Sequence, residues 1–154
     1  MGSGDLSPAG PGQSPGLPSC ACLVTLSVEL ACASFARSLR FYTDVLGFAT
    51  MRFAPDRRCA ELERDGVGVL LREGGSPLGA MEYPFGRGVT LVVWSQDIDA
   101  IYAGVQAYGA RLHRSMEEIW RDEDGTRTGH MEFEVIDPDG YVLRFCEPLP
   151  PEGY

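Results

Sequence analysis

His130-Met-Glu132-Phe-Glu134 places an imidazole and two carboxylates at every second residue. In an extended strand that spacing sets all three on one face, with Met131, Phe133 and Val135 on the other. Nitrogen and oxygen donors in a row can ligate a divalent cation, but one strand supplies only one side of a coordination sphere. The row therefore has three open readings: a metal edge, acidic lining by Glu132 or Glu134 for a cationic ligand, or the solvated face of an amphipathic strand. Arg144, set among Tyr141, Val142, Leu143 and Phe145, needs an acidic partner if buried. Glu29, which shares a strand face with Ser27, is one candidate partner; a carboxylate or phosphate on a ligand is another.

Aromatic residues supply the other candidate contacts. Trp120 sits in a polar stretch, where an indole either stacks on a planar or cationic ligand for roughly 0.5–2 kcal/mol or anchors its own loop. Trp94 reads as the end of a core strand or as a pocket wall, and Phe53, Tyr83 and Phe85 as a cleft mouth or as packing. His113, flanked by arginines, reads as surface. No cysteine has a histidine at a spacing that suggests a nucleophile, and no glycine-rich loop follows a strand to cradle phosphate.

Composition narrows the function classes. Twenty-two acidic against thirteen basic residues give a formal charge of −9 in 154 residues. Such a field disfavours nucleic acid and anionic membrane and favours cationic partners. Five cysteines (Cys20, Cys22, Cys32, Cys59, Cys146) form no CxxC pair, which argues for reduced thiols in a cytoplasmic protein rather than a disulfide framework or zinc motif. The apolar run Cys20–Ala36 is broken by Glu29 and preceded by no Lys or Arg, against a secretory leader.

The elements that must position these residues follow in order. Residues 1–19, rich in Gly, Pro and Ser, read as a disordered tail, and 20–154 as one domain. Leu23–Cys32 alternates as a first strand. A helix runs from an N-cap at Ser34 to Gly47, with Phe35, Leu39, Phe41, Tyr42, Val45 and Leu46 on its apolar side. Strands follow at Phe48–Phe53, Cys59–Glu63 and Val67–Arg72. Glu73–Arg87, with several glycines plus Pro77 and Pro84, is a linker. Val89–Trp94 is a strand, Asp97–Tyr108 a helix closed by Gly109, Arg111–Ser115 a short strand, and Met116–Gly129 a polar loop.

A hairpin through Asp137-Pro-Asp-Gly140 completes the chain, because that tetrapeptide combines an acceptor side chain, a preset φ and a residue free to take positive φ. Gly47 to Gly109 is 62 positions and Gly66 to Gly140 is 74. The chain is thus an α+β protein of two βαβββ modules, 22–75 and 86–147, forming a cup-shaped mixed sheet, the second with about a dozen extra residues near Trp120.

Ser34-Phe-Ala-Arg-Ser-Leu-Arg-Phe-Tyr-Thr-Asp-Val-Leu-Gly-Phe48 and Asp137-Pro-Asp-Gly-Tyr-Val-Leu-Arg-Phe145 together resemble the vicinal oxygen chelate superfamily of glyoxalases, dioxygenases and bleomycin resistance proteins. Its metal enzymes carry His, Gln or Glu on the first and fourth strands of each module. The matching first-strand position here is Ser27, Val67–Leu71 and Val89–Trp94 hold no such residue, and Arg144 stands where a final Glu is expected. The resemblance therefore implies no metal, no cofactor and no catalytic residue. It points to the bleomycin resistance type, similar also in Ile119-Trp120 and Gly129-His-Met-Glu-Phe133. That type implies a homodimer that sequesters a cationic aromatic compound without turnover. Ser27, Glu29, Phe53, Tyr83, Phe85, Trp94, Trp120, Glu132, Glu134 and Arg144 are the expected contacts. The alternative is a lyase, isomerase or dioxygenase of the glyoxalase branch, metal-dependent or metal-free.

Overall fold

The computed structural model describes residues 26–150 except 77, 78 and 124. The expected tail and the start of the first strand lie outside the described residues. The first module runs β1 (Ser27–Cys32), α1 (Phe35–Arg40, widening into a π turn over Phe41–Val45), β2 (Ala49–Ala54), β3 (Cys59–Arg64) and β4 (Val67–Glu73). The second runs β5 (Thr90–Trp94), α2 (Ile98–Tyr108), β6 (Leu112–Glu123), β7 (Thr126–Ile136) and β8 (Val142–Pro148).

The α+β class and the paired βαβββ units are as the sequence predicts. Each module has its own four-stranded mixed sheet, in the orders β1-β4-β3-β2 and β5-β8-β7-β6. The first strand of each runs parallel to the last, and the other pairs are antiparallel. Alternation decides the faces: Leu30, Cys32, Val69 and Leu71 in the first sheet, and Leu91, Val93, Phe133, Val135, Leu143 and Phe145 in the second, are buried. Phe133 stacks on Phe145 at 5.3 Å between ring centres, and Tyr102 of α2 meets it edge-on at 5.0 Å. No helix among the described residues is long and apolar enough to cross a membrane.

Both helix starts are capped differently from the sequence expectation. Ser34 and Asp97 occupy the N-cap positions, yet neither side chain caps. Instead the Phe35 N–H donates to Glu73 Oε2 at 2.9 Å and the Ile98 N–H to Glu147 Oε2 at 3.0 Å. Each glutamate sits at the end of its module's last strand, where a carboxylate both satisfies an orphan N–H and favours the positive helix end. Glu73 and Glu147 are 74 positions apart, the same offset as the hairpin glycines. The Phe35 N–H and the Arg58 guanidinium hold the Glu73 carboxyl below its ordinary value.

The Asp137–Gly140 turn joins the modules. Asp139 accepts from the Ala33 N–H at 2.9 Å and the Ser38 hydroxyl at 2.6 Å. Asp137 accepts from the Tyr42 hydroxyl at 3.0 Å and from the N–H groups of Asp139 and Tyr141. The Tyr141 hydroxyl donates to Ala31 O at 3.2 Å. These groups are mostly buried, so every pairing avoids the desolvation cost of an orphaned polar atom.

The predicted loop Met116–Gly129 is corrected: β6 and β7 extend into it as the two arms of one long hairpin. Cross-strand pairs hold it together, with Trp120 lying against Gly129, Arg127 over the indole at 5.0 Å, and Arg127 4.0 Å from Asp122. None of the described residues from 116 to 129 is fully buried, so this part of the hairpin has little core to cover and its sequence lacks the apolar face that marks a strand.

Candidate binding face on the second sheet

The side of the second sheet turned away from α2 collects most of the chemistry. Register sets its rows. Val92, Arg144, Glu134 and Arg114 are successive ladder partners across β5, β8, β7 and β6, and Trp94, Cys146, Glu132 and Glu117 form the next row. His130 lies one row further, opposite Pro148 and Ile119.

Its charges are paired. Arg144 sets Nε and Nη2 on one Glu134 oxygen at 2.8 and 2.6 Å, and His113 Nε2 is 3.7 Å from the other. Arg114 Nη1 bridges Glu132 Oε1 at 3.0 Å and Glu117 at 3.3 Å. His130 Nε2 is 2.9 Å from Glu132 Oε2. Glu132 and Glu134 are each only 4% exposed, so these partners replace the water the carboxylates give up.

Burial pushes the Glu132 carboxyl up, but the His130 contact and the Arg144 and Arg114 guanidiniums outweigh it, and the group titrates below its ordinary value. The Glu134 hydrogen bond raises Arg144. Burial, with Glu132 nearby, pushes the Cys146 thiol up to about 11, although Arg144 opposes the shift. Beside this network the β5 edge is apolar and open: Val92 is 43% and Trp94 53% exposed, and the indole meets the His130 ring edge-on at 5.5 Å. In the other direction the face continues into a cavity of about 640 Å³ whose lining includes Tyr83, Thr90, Arg111, His113 and Val142.

The structure therefore brings together Trp94, Glu132, Glu134 and Arg144, with Tyr83 at the cavity, and separates the other expected contacts. Trp120 pairs with Gly129, which puts it on the same side as Met131 and Phe133. It is half-buried, and its Nε1 donates to Glu118 at 3.1 Å. The indole therefore lies on the opposite side of the sheet from Arg144, under Arg127 and against Gly129, a placement that suits the anchoring alternative. The Glu29–Arg144 pair is also corrected, because Glu29 instead accepts from Arg72 Nε at 2.8 Å within the first sheet. Ser27 and Glu29 line the open side of that sheet. Phe53 lies on its helix side, stacked on Phe35 at 6.0 Å, and Phe85 packs against the core while its N–H donates to Asp139 O.

The sequence reading missed Arg114, His113 and Cys146. Counting outward equally from Asp139 pairs Glu134 with Arg144 and Glu132 with Cys146, so the hairpin turn contained the signal for Cys146 as well as for the Glu134–Arg144 pair. Arg114 and His113 were not findable this way, because β6 slips register twice between Leu112 and Glu117.

The strand positions that the resemblance gives to metal ligands do not fit a divalent ion. Ser27 is a hydroxyl, Arg144 is a cation committed to Glu134, and the open sides of β4 and β5 carry no imidazole or carboxylate.

Comparison with known proteins agrees with the architecture. TioX from Micromonospora sp. ML1 is 25% identical with a TM-score of 0.58, over 80% of this chain and 98% of that one. A glyoxalase/bleomycin resistance protein/dioxygenase from Alicyclobacillus acidocaldarius shares the fold at 17% identity and TM-score 0.58, covering 81% of this chain and 91% of its own. A protein of unknown function from Agrobacterium tumefaciens str. C58 does so at 22% and 0.61, covering 80% and 92%. The search of curated proteins gives no significant match. Residues 25–145 match the sequence profile of the Glyoxalase/Bleomycin resistance protein/Dioxygenase superfamily, and to that superfamily the chain belongs.

Proposed function

We propose that the protein binds a planar, cationic small molecule without turnover on the open face of the second sheet, and so sequesters it in the cytoplasm. The observation that carries this reading is the half-exposed Trp94 beside Val92, standing next to charged side chains that already satisfy one another. Affinity then comes from stacking on the indole, roughly 0.5–2 kcal/mol for the aromatic contact alone, plus burial of the ligand's apolar surface. Two rows of this face hold the carboxylates Glu117, Glu132 and Glu134 against the guanidiniums Arg114 and Arg144, a residual negative charge that favours a cation. Arg111 lies at the cavity end, so a cationic group belongs near Trp94 and the rest of the ligand toward Tyr83. The cavity has the size of a small-molecule site.

The same proposal includes a homodimer. β1 and β5 are edges of their sheets, and an unpaired edge is a template for a second chain. A monomer at micromolar concentration in analytical ultracentrifugation removes the dimer but leaves the binding face.

The test of binding uses Trp120→Phe, in which Trp94 is the sole indole. Titration with a bleomycin-type glycopeptide and with simpler planar cations should quench its fluorescence saturably. Trp94→Ala should weaken binding, measured calorimetrically, by about 2- to 30-fold. Equal affinity in Trp94→Ala would sink the stacking role; no saturable binding of any planar cation would sink the reading.

A further inference from the structure

The β7–β8 ladder sets Cys146 opposite Glu132, and His130 stands two residues along from Glu132 on the same face. Ligand-type atoms of these three side chains all lie within 4.8 Å of one another. We propose that His130, Glu132 and Cys146 form a transition-metal site, suited to zinc(II), that is separate from the positions the superfamily resemblance assigns to ligands.

Donor chemistry supports this first. An imidazole, a carboxylate and a thiolate are the three ligand types zinc accepts, and three protein ligands leave one position open. On binding, the Cys146 thiol gives its proton to solvent and its sulfur coordinates the ion; thiolate and carboxylate then balance the two positive charges. That neutrality matters because Glu132 and Cys146 are buried, at 4% and 2% exposed, where an uncompensated ion is costly.

Geometry supports it second. Tetrahedral zinc with bonds of about 2.0–2.3 Å needs donor atoms roughly 3.3–3.8 Å apart. The His130–Glu132 separation is 2.9 Å and the largest in the cluster is at most 4.8 Å, so side-chain shifts of about 1 Å close the site. The surroundings already orient two ligands: Arg114 holds Glu132 Oε1 at 3.0 Å, leaving Oε2 toward His130, and Trp94 packs against the imidazole. Such outer contacts fix ligand direction. One strand alone offered half a coordination sphere, and Cys146 comes from the neighbouring strand to supply another side.

The bland reading of the same atoms is a His–Glu hydrogen bond beside a buried thiol, and sulfur coordination separates the two. The experiment uses the full chain carrying Cys20→Ser and Cys22→Ser, which removes the paired thiols near the amino end, and titrates it with cobalt(II) and zinc(II). One equivalent of cobalt should bind with a near-ultraviolet sulfur-to-cobalt charge-transfer band and strong visible bands of a four-coordinate ion, and zinc should displace it. Cys146→Ala should lose the charge-transfer band, while Cys32→Ser and Cys59→Ser keep it. His130→Gln, at a half-buried position, should weaken affinity by at least about tenfold with an unchanged circular dichroism spectrum. Absence of saturable binding, a charge-transfer band that survives Cys146→Ala, or unaltered affinity in His130→Gln would each overturn the site. None of these readouts depends on a planar ligand.

Discussion

Replacing Asp137 by Asn should stabilise the protein at neutral pH more than in mild acid. Asp137 is buried at the module junction, where its carboxylate accepts the N–H groups of Asp139 at 2.9 Å and Tyr141 at 2.8 Å and the Tyr42 hydroxyl at 3.0 Å. Burial outweighs those hydrogen bonds, Asp139 adds repulsion, and the carboxyl is pushed from 3.8 up to about 6. A folded value above the unfolded one means the native state holds the proton more tightly. The contribution of this group is therefore fully present below pH 3.8 and lost as pH rises through about 6. Between about pH 5 and about pH 7.5 the linkage relation gives a loss of about 1.4 kcal/mol.

Asn keeps an acceptor oxygen for the two N–H groups and offers its amide to Tyr42, whose hydroxyl turns to accept, but it carries no charge to desolvate. Urea unfolding followed by circular dichroism at the two pH values measures the difference. The advantage of Asp137→Asn over the parent should grow by about 1.4 kcal/mol from the lower pH to the higher. More acidic conditions are avoided because Glu73 and Glu132, both held low, lose their contributions there and act in the opposite sense. Parallel pH curves for the two proteins, or an advantage that shrinks as pH rises, would refute the claim that burial governs this carboxyl.

Two further perturbations test the packing that carries the binding face. Arg144→Ala leaves the buried Glu134 without its main partner and should cost about 2–3 kcal/mol in chemical denaturation; Arg144→Met combined with Glu134→Gln should recover most of it, and a failure to recover would mean the pair is not the cause. Gly86→Ala builds a Cβ only 2.6 Å from the Tyr141 backbone, which has no side-chain freedom to yield, so a loss of about 1–3 kcal/mol is expected. Gly75→Ala, whose nearest contact is an ordinary 3.6 Å, is the control and should change stability little.

Where a segment had both a periodic apolar face and a chemically determined end, the sequence was sufficient. Leu30, Cys32, Val69 and Leu71 alternate into the first core, and Gly47 and Gly109 close the helices at positive φ, as their positions suggest. Residues 116–129 failed because neither signal was present. Their strand character comes from cross-strand contacts such as Trp120 on Gly129, which no local window contains. The same distinction explains the site. Trp120 has two readings in the sequence because it is a large indole among polar residues, and side-chain type does not say which face a residue occupies; one count along the ladder turns it away from Arg144. Cys146 was overlooked because no histidine lies near it in sequence, yet the turn at Asp139 delivers Glu132 opposite it, with His130 two residues further along the same face. Chemistry on a sheet is written across strands. A hairpin turn legible enough to fix register therefore predicts functional neighbours that spacing along one strand cannot, and here it reaches Glu134–Arg144 and Glu132–Cys146 but stops at β6, where two register slips break the count.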